Sequence, residues 1–234
     1  MNWTRLFLIG VVAVAFGSTK AGASDLSTVV VPCDGVKTRY LLYDQAGTSA
    51  EPAILLLHGA GDQASDFLGA WKAFGKKQKV ILIAPELPRD PKFEEAAPRV
   101  FRCVVEDAKG KASIDPKRVY VFGNSMGGYL AYDAAMFDSE YFAAVAVHAM
   151  GIAEEYRGIV TQAKRKTPIA IYVGTDDPLV PLAKVRATRD LLEKNAFPVH
   201  YVEIKGHDHN FYAVSDRVSD DAWKFLSQQD LPNP

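Results

Sequence analysis

The chain has 234 residues, 48% of them hydrophobic and 24% charged, a balance that excludes a disordered or collagen-like protein and predicts one globular core. A mean hydropathy of -0.05 excludes a multi-span membrane protein. With 27 basic against 28 acidic side chains the formal net charge is -1, so no electrostatic footprint for nucleic acid exists.

Residues 1–23 read as a secretory signal peptide, with Arg5 as the positive n-region, an apolar run from Leu6 to Phe16, and Ala21-Gly22-Ala23 as the cleavage site. That run is shorter than the roughly 20 residues a bilayer span needs. The expectation is cleavage after Ala23, a single domain over 24–234, no stable membrane anchor after cleavage, and a secreted or periplasmic location. Export would place the only two cysteines, Cys33 and Cys103, in an oxidising compartment, where an even count favours a disulfide. Against that, Cys103 shares an apolar helical face with Val100 and Val104, where a buried free thiol is common. Both readings stay open here.

Taken in order, Thr28 to Val31 and Arg39 to Tyr43 read as antiparallel edge strands joined by a turn at Pro32-Cys33-Asp34-Gly35. Near-continuous apolar runs follow at Ile54 to Leu57, Val80 to Ala84, Val119 to Phe122, Ala143 to Val147, Ile169 to Val173 and Val199 to Ile204. Such runs suit strands buried on both faces of a parallel sheet. Between them lie helical spacings: Phe67, Trp71 and Phe74; Val185, Thr188 and Leu191; Val218, Ala222 and Phe225. Strand and helix alternate, so the fold class is α/β, a mostly parallel central sheet flanked by helices. The Pro-rich stretch from Pro85 to Pro98 reads as one long irregular segment forming a wall near the site. The short connection between Val147 and Ile169 leaves room for only a minimal lid.

The sharpest chemical signal is Gly123-Asn124-Ser125-Met126-Gly127-Gly128, which directly follows a strand and opens a small-residue helix from Tyr129 to Phe137. In a G-x-S-x-G turn, side chains two positions either side of the serine would collide where strand and helix cross, hence glycine at both. A serine at its free pKa is a poor nucleophile and needs a base and a group to orient that base. Gly174-Thr175-Asp176-Asp177-Pro178 follows one strand and Gly206-His207-Asp208-His209 the next, in the chain order Ser, Asp, His. Oxyanion donors are expected from the backbone N–H groups of Ala60, in Leu57-His58-Gly59-Ala60-Gly61, and of Met126. His58 reads as a loop-stabilising partner.

With these motifs the chain resembles an α/β-hydrolase-fold serine esterase of the small carboxylesterase, feruloyl-esterase-like or esterase D-like kind. The similarity rests on L-L-H-G-A-G-D, G-N-S-M-G-G, G-T-D-D-P-L-V-P and H-D-H-N-F-Y, and its motifs cover residues 53–212. The resemblance implies Ser125 as nucleophile, Asp177 as orienting acid and His209 as base, with Asp176 and His207 as the alternatives. His148, Tyr129 and Phe211 are candidate substrate contacts. The expected substrate is a small-molecule or polymer ester, with no cofactor and no metal. A peptidase or polyester depolymerase of the same fold and a non-catalytic binding module on a hydrolase scaffold are the competing readings. A dienelactone-hydrolase-like enzyme is expected to carry a cysteine nucleophile, and Ser125 counts against it.

Overall fold

Among the described residues eight strands form one sheet, in the order Leu26–Cys33, Val36–Tyr43, Ile81–Pro85, Glu51–Leu57, Ile114–Asn124, Ala144–His148, Ile169–Gly174 and Val199–Ile204. The computed structural model describes residues 25–232 apart from positions 46, 48 and 89, so the expected signal segment at 1–23 lies outside the described residues. The strands are β1 (Leu26–Cys33), β2 (Val36–Tyr43), β3 (Glu51–Leu57), β4 (Ile81–Pro85), β5 (Ile114–Asn124), β6 (Ala144–His148), β7 (Ile169–Gly174) and β8 (Val199–Ile204). The helices are α1 (Ala64–Gln78), α2 (Pro91–Lys109), α3 (Met126–Phe137), α4 (Leu182–Lys194) and α5 (Ser215–Leu226). β1 and β2 pair antiparallel, as do β2 and β4, and every other neighbouring pair is parallel.

The two-residue side-chain period explains why the central runs are apolar throughout. Leu55, Leu57, Val119, Val121 and Ile83 face one core, into which α2, α3 and α4 send Val104, Leu130 and Val185. Their neighbours Ile54, Leu56, Tyr120, Phe122 and Leu82 face the other, filled by Phe67 and Trp71 of α1 and Val218 and Ala222 of α5.

Two local expectations need correction. β1 runs through Cys33, which pairs with Val36, so the edge hairpin turns on Asp34 and Gly35 alone. Both have positive φ, 49° and 76°, the conformation a two-residue type I′ hairpin demands and Asp-Gly supplies. The Pro85 to Pro98 stretch is largely helix: α2 begins at Pro91, capped by the Asp90 carboxylate accepting from Lys92 N–H at 2.9 Å. Proline at a first helical position loses no bond. Pro98 lies inside the helix, and its cost is offset by the fully buried face of Ala97, Val100, Phe101, Val104 and Val105.

The disulfide reading holds. Cys33 and Cys103 are bonded, with Cα atoms 5.7 Å apart, tying the end of β1 to the middle of α2.

Candidate active site

All the chemistry-bearing loops leave the C-terminal ends of parallel strands, where α/β sheets place their ligands. β5 ends at Asn124 and α3 starts at Met126, leaving Ser125 alone in the turn. Its φ and ψ are 52° and -116°, a conformation non-glycine residues rarely adopt. The strain is held by crossing backbones: a Cβ on Gly123 would overlap the Gly127 carbonyl, and one on Gly127 would overlap the Leu57 carbonyl. Ser125 N–H donates to the His148 carbonyl at 2.9 Å, fixing the turn to β6.

His209 Nε2 lies 2.9 Å from Ser125 Oγ, and its Nδ1 lies 2.8 Å from Asp177 Oδ2. A carboxylate only accepts, so Nδ1 carries the proton and Nε2 presents a lone pair to the hydroxyl. Asp177 Oδ1 accepts from the N–H groups of Leu179 and Val180, both at 2.9 Å. Burial pushes the Asp177 carboxyl up, but the His209 hydrogen bond and these two N–H groups outweigh it and hold the pKa below the ordinary value. The acid therefore stays ionised beside the imidazole.

Asp176, adjacent in sequence, takes a structural place. Its carboxylate accepts from Thr175 Oγ1 at 2.8 Å, and its N–H donates to the His207 carbonyl at 3.0 Å, which locks the acid loop to the histidine loop. His207 points away from Ser125. Its Nε2 is 3.2 Å from His148 Nε2, whose Nδ1 is 2.8 Å from Asn124 Oδ1. His148, expected to contact substrate, is fully buried. Burial and the neighbouring His207 and His209 push its pKa down to about 3. Asn124 was not singled out by sequence reasoning, although the parallel register that pairs it with His148 follows from the strand alignment.

Ala60 is exposed on the loop after β3, and Met126 opens α3. An N–H in the first turn of a helix has no intrahelical acceptor, so the Met126 donor is free to face the cleft. His58 Nε2 accepts Leu87 N–H at 3.1 Å, leaving Nδ1–H to donate to the Gly59 carbonyl at 2.9 Å. It therefore steadies this loop, as expected. Tyr212 hydroxyl donates to the Asp62 carboxylate, tying the loop that carries Ala60 to the loop that carries His209.

The cleft at Ser125 is shallow, about 260 Å³, and is lined by Gly59, Ala60, Asn124, His209, Phe211 and Tyr212 among others. Phe211 lies at its floor with 1% exposure, its ring 5.1 Å from Phe67 and 5.4 Å from Phe122, so it anchors the histidine loop in the core. Tyr129 is elsewhere, lining a separate cavity between α2 and α3. Among the described residues no group of three or more His, Cys, Asp or Glu side chains is placed to hold a metal ion. Nor is any helix there long and apolar enough to cross a membrane.

No curated protein matches the chain. Among solved structures, a thermostable esterase superposes with a TM-score of 0.69 at 22% identity, covering 88% of this chain and 63% of its own. This chain thus spans less than two thirds of that esterase. Esterase 2 of Thermogutta terrifontis, phosphoramylated by tabun, gives a TM-score of 0.67 at 18% identity over 87% of this chain and 94% of its own. Est1E from Butyrivibrio proteoclasticus gives 0.66 at 15%, over 86% and 99%. At these identities the likeness establishes the fold, that of the α/β hydrolases. A model of the dienelactone hydrolase family matches residues 73–228. The serine at 125, which lies inside the matched residues, therefore does not set the chain outside that family. By the reach of that match, from within α1 to just past the end of α5, the chain belongs to the dienelactone hydrolase family of α/β hydrolases.

Proposed function

We propose that this hydrolase cleaves carboxylic esters through an acyl-enzyme on Ser125. The observation that carries the reading is the position of His209, with Nε2 2.9 Å from Ser125 Oγ and Nδ1–H donating to Asp177. His209 takes the hydroxyl proton as Oγ attacks the ester carbonyl carbon, and Asp177 stabilises the imidazolium that forms. The N–H groups of Ala60 and Met126 meet the oxyanion. Collapse of the tetrahedral adduct breaks the bond to the alcohol, which leaves with the His209 proton. Water then loses a proton to His209 and attacks the acyl carbon; the bond from that carbon to Ser125 Oγ breaks, Oγ takes the proton back from His209, and the carboxylic acid leaves.

The cleft is smaller than the roughly 300 Å³ at which sites usually enclose a ligand, so it would hold the ester group and leave the rest of the substrate outside. That geometry supports small esters or an accessible ester of a polymer. Export is part of the proposal: the Cys33–Cys103 disulfide suits an oxidising compartment. The mature protein would begin at Ser24, which N-terminal mass analysis of the exported fraction tests.

A fluorophosphonate probe tests the chemistry. A phosphonyl adduct on Ser125 is expected, in keeping with a fold relative that tabun phosphoramylates. Hydrolysis of a p-nitrophenyl ester is expected to fall by on the order of 10³ in Ser125→Ala with the circular dichroism spectrum kept. Folded protein that forms no adduct and turns over no ester sinks the proposal.

A further inference from the structure

We propose that the cavity between α2, α3 and the helical turn at Glu154–Thr161 is a binding site for a small organic cation, a quaternary or protonated amine. The cavity measures about 820 Å³, against about 260 Å³ for the cleft at Ser125, and shares no lining residue with it. The inference stands apart from the esterase reading.

Asp133 carries the argument. It lies two turns into α3, is 8% exposed, and lines the cavity. Its carboxylate receives no hydrogen bond and pairs with no cation in the described residues. A buried carboxylate without a partner is costly, and proteins normally pair it or neutralise it. Here burial pushes its pKa up to about 7, and the facing Glu94 carboxylate adds to the shift. A bound cation would offset both effects.

The surrounding charges leave that position unfilled. Arg102 is taken by Asp138, with Nε 3.0 Å from Oδ2, and Arg99 by Asp34, with Nε 2.8 Å from Oδ2. Glu94 and Glu95, on the α2 wall, have no ion pair among the described residues. Pro98, also in the wall, supplies no N–H to the Glu94 carbonyl four residues earlier, which leaves another acceptor on this side.

Aromatic faces complete the site. The Tyr129 and Tyr156 rings meet edge to face with centroids 6.0 Å apart. Tyr156 is 48% exposed and Phe137 54%, and both line the opening. Aromatic faces beside a carboxylate recognise ammonium groups through the ring quadrupole. No described cluster has the three ligands a metal ion would ask for, and the room available suits an organic ion.

The probe is choline, titrated calorimetrically at pH 8 beside its neutral isostere 3,3-dimethylbutan-1-ol. Saturable choline binding is expected at roughly millimolar concentration or below, with little response to the alcohol. Asp133→Asn should weaken choline at least about tenfold, and Tyr156→Ala, an exposed position that folding tolerates, should weaken it several-fold. Because the ionised carboxylate is the binding form, affinity should fall from pH 8 to pH 5.5. The other titratable and charged groups lining the same cavity are Glu94, Glu95, Arg99 and Arg102 on α2, Asp138 after α3, held by Arg102, the Tyr156 hydroxyl, and the Tyr129 hydroxyl, whose pKa burial pushes up. Equal binding of the alcohol, unchanged affinity in both variants, or no saturable binding up to roughly ten millimolar overturns the proposal.

Discussion

His207 and His148 meet Nε2 to Nε2 at 3.2 Å beneath the Ser125 turn. Asn124 Oδ1, an acceptor 2.8 Å from His148 Nδ1, sets the direction of the chain. His148 must donate from Nδ1 and accept at Nε2, so His207 donates from Nε2. Both imidazoles are neutral in this arrangement, consistent with the downward shifts that burial imposes on each. Two histidines two residues apart thus have different partners: His209 reaches the Ser125 hydroxyl, and His207 reaches His148.

That division predicts different phenotypes. His209→Ala should lower kcat/KM for a p-nitrophenyl ester by about 10³ or more with stability little changed, since the ring is partly exposed. His207→Ala should leave most of the activity and lower the urea midpoint. Steady-state kinetics beside urea melts distinguish them. The reverse pattern would move the base to His207.

The buried pair also predicts how stability responds to acid. The folded pKa of His148, about 3, lies below its ordinary 6.5. Between those values the unfolded chain binds the extra proton, so stability falls as pH drops from 6.5 toward 3. His207 acts in the same sense, and Asp177, also shifted down, adds a loss at lower pH. Asp133, shifted up, acts oppositely. Comparing wild type with His148→Gln at each pH cancels the contributions the two share. Urea melts at pH 7.5 and 4.5 should show wild type losing more stability than the variant, and parallel losses would contradict the assignment.

Removing the Cys33–Cys103 bond frees a chain closed over a separation of 70 residues. The chain-entropy relation gives about 4 kcal/mol for a loop of that size. The Cys33→Ala, Cys103→Ala double variant should show that order of loss in urea unfolding, with reaction at Ser125 retained in the folded fraction.

The turn itself discriminates between backbone and side-chain requirements. Gly127→Ala puts a Cβ into the Leu57 carbonyl, and should abolish folding or cost more than about 4 kcal/mol. Ala60→Ser, at an exposed loop position, should keep both fold and activity, because only the Ala60 N–H is asked to act. Thermal melts and ester turnover of the two variants check the contrast.

The sheet and its order of chemistry were legible in the sequence because both are written at short range. Apolar runs such as Ile169 to Val173 and spacings such as Phe67, Trp71 and Phe74 reflect periods of two and 3.6 residues, and the strain at Ser125 is announced by the glycines two residues away on either side. α2 was misread at its start, because Pro91 and Pro98 signal breaks locally while the buried face from Ala97 to Val105 decides for helix. What only the tertiary structure decided are relationships across long separations. His209 meets Ser125 over 84 residues and His207 meets His148 over 59, and adjacent residues in one loop diverge according to the direction each side chain leaves it. Whether Cys103 pairs with Cys33, and whether Asp133 finds a cation, depended on how α2 lies against β1 and α3. Periodicity determines which face of an element is buried, but it carries no information about which polar groups the packing of those faces brings together.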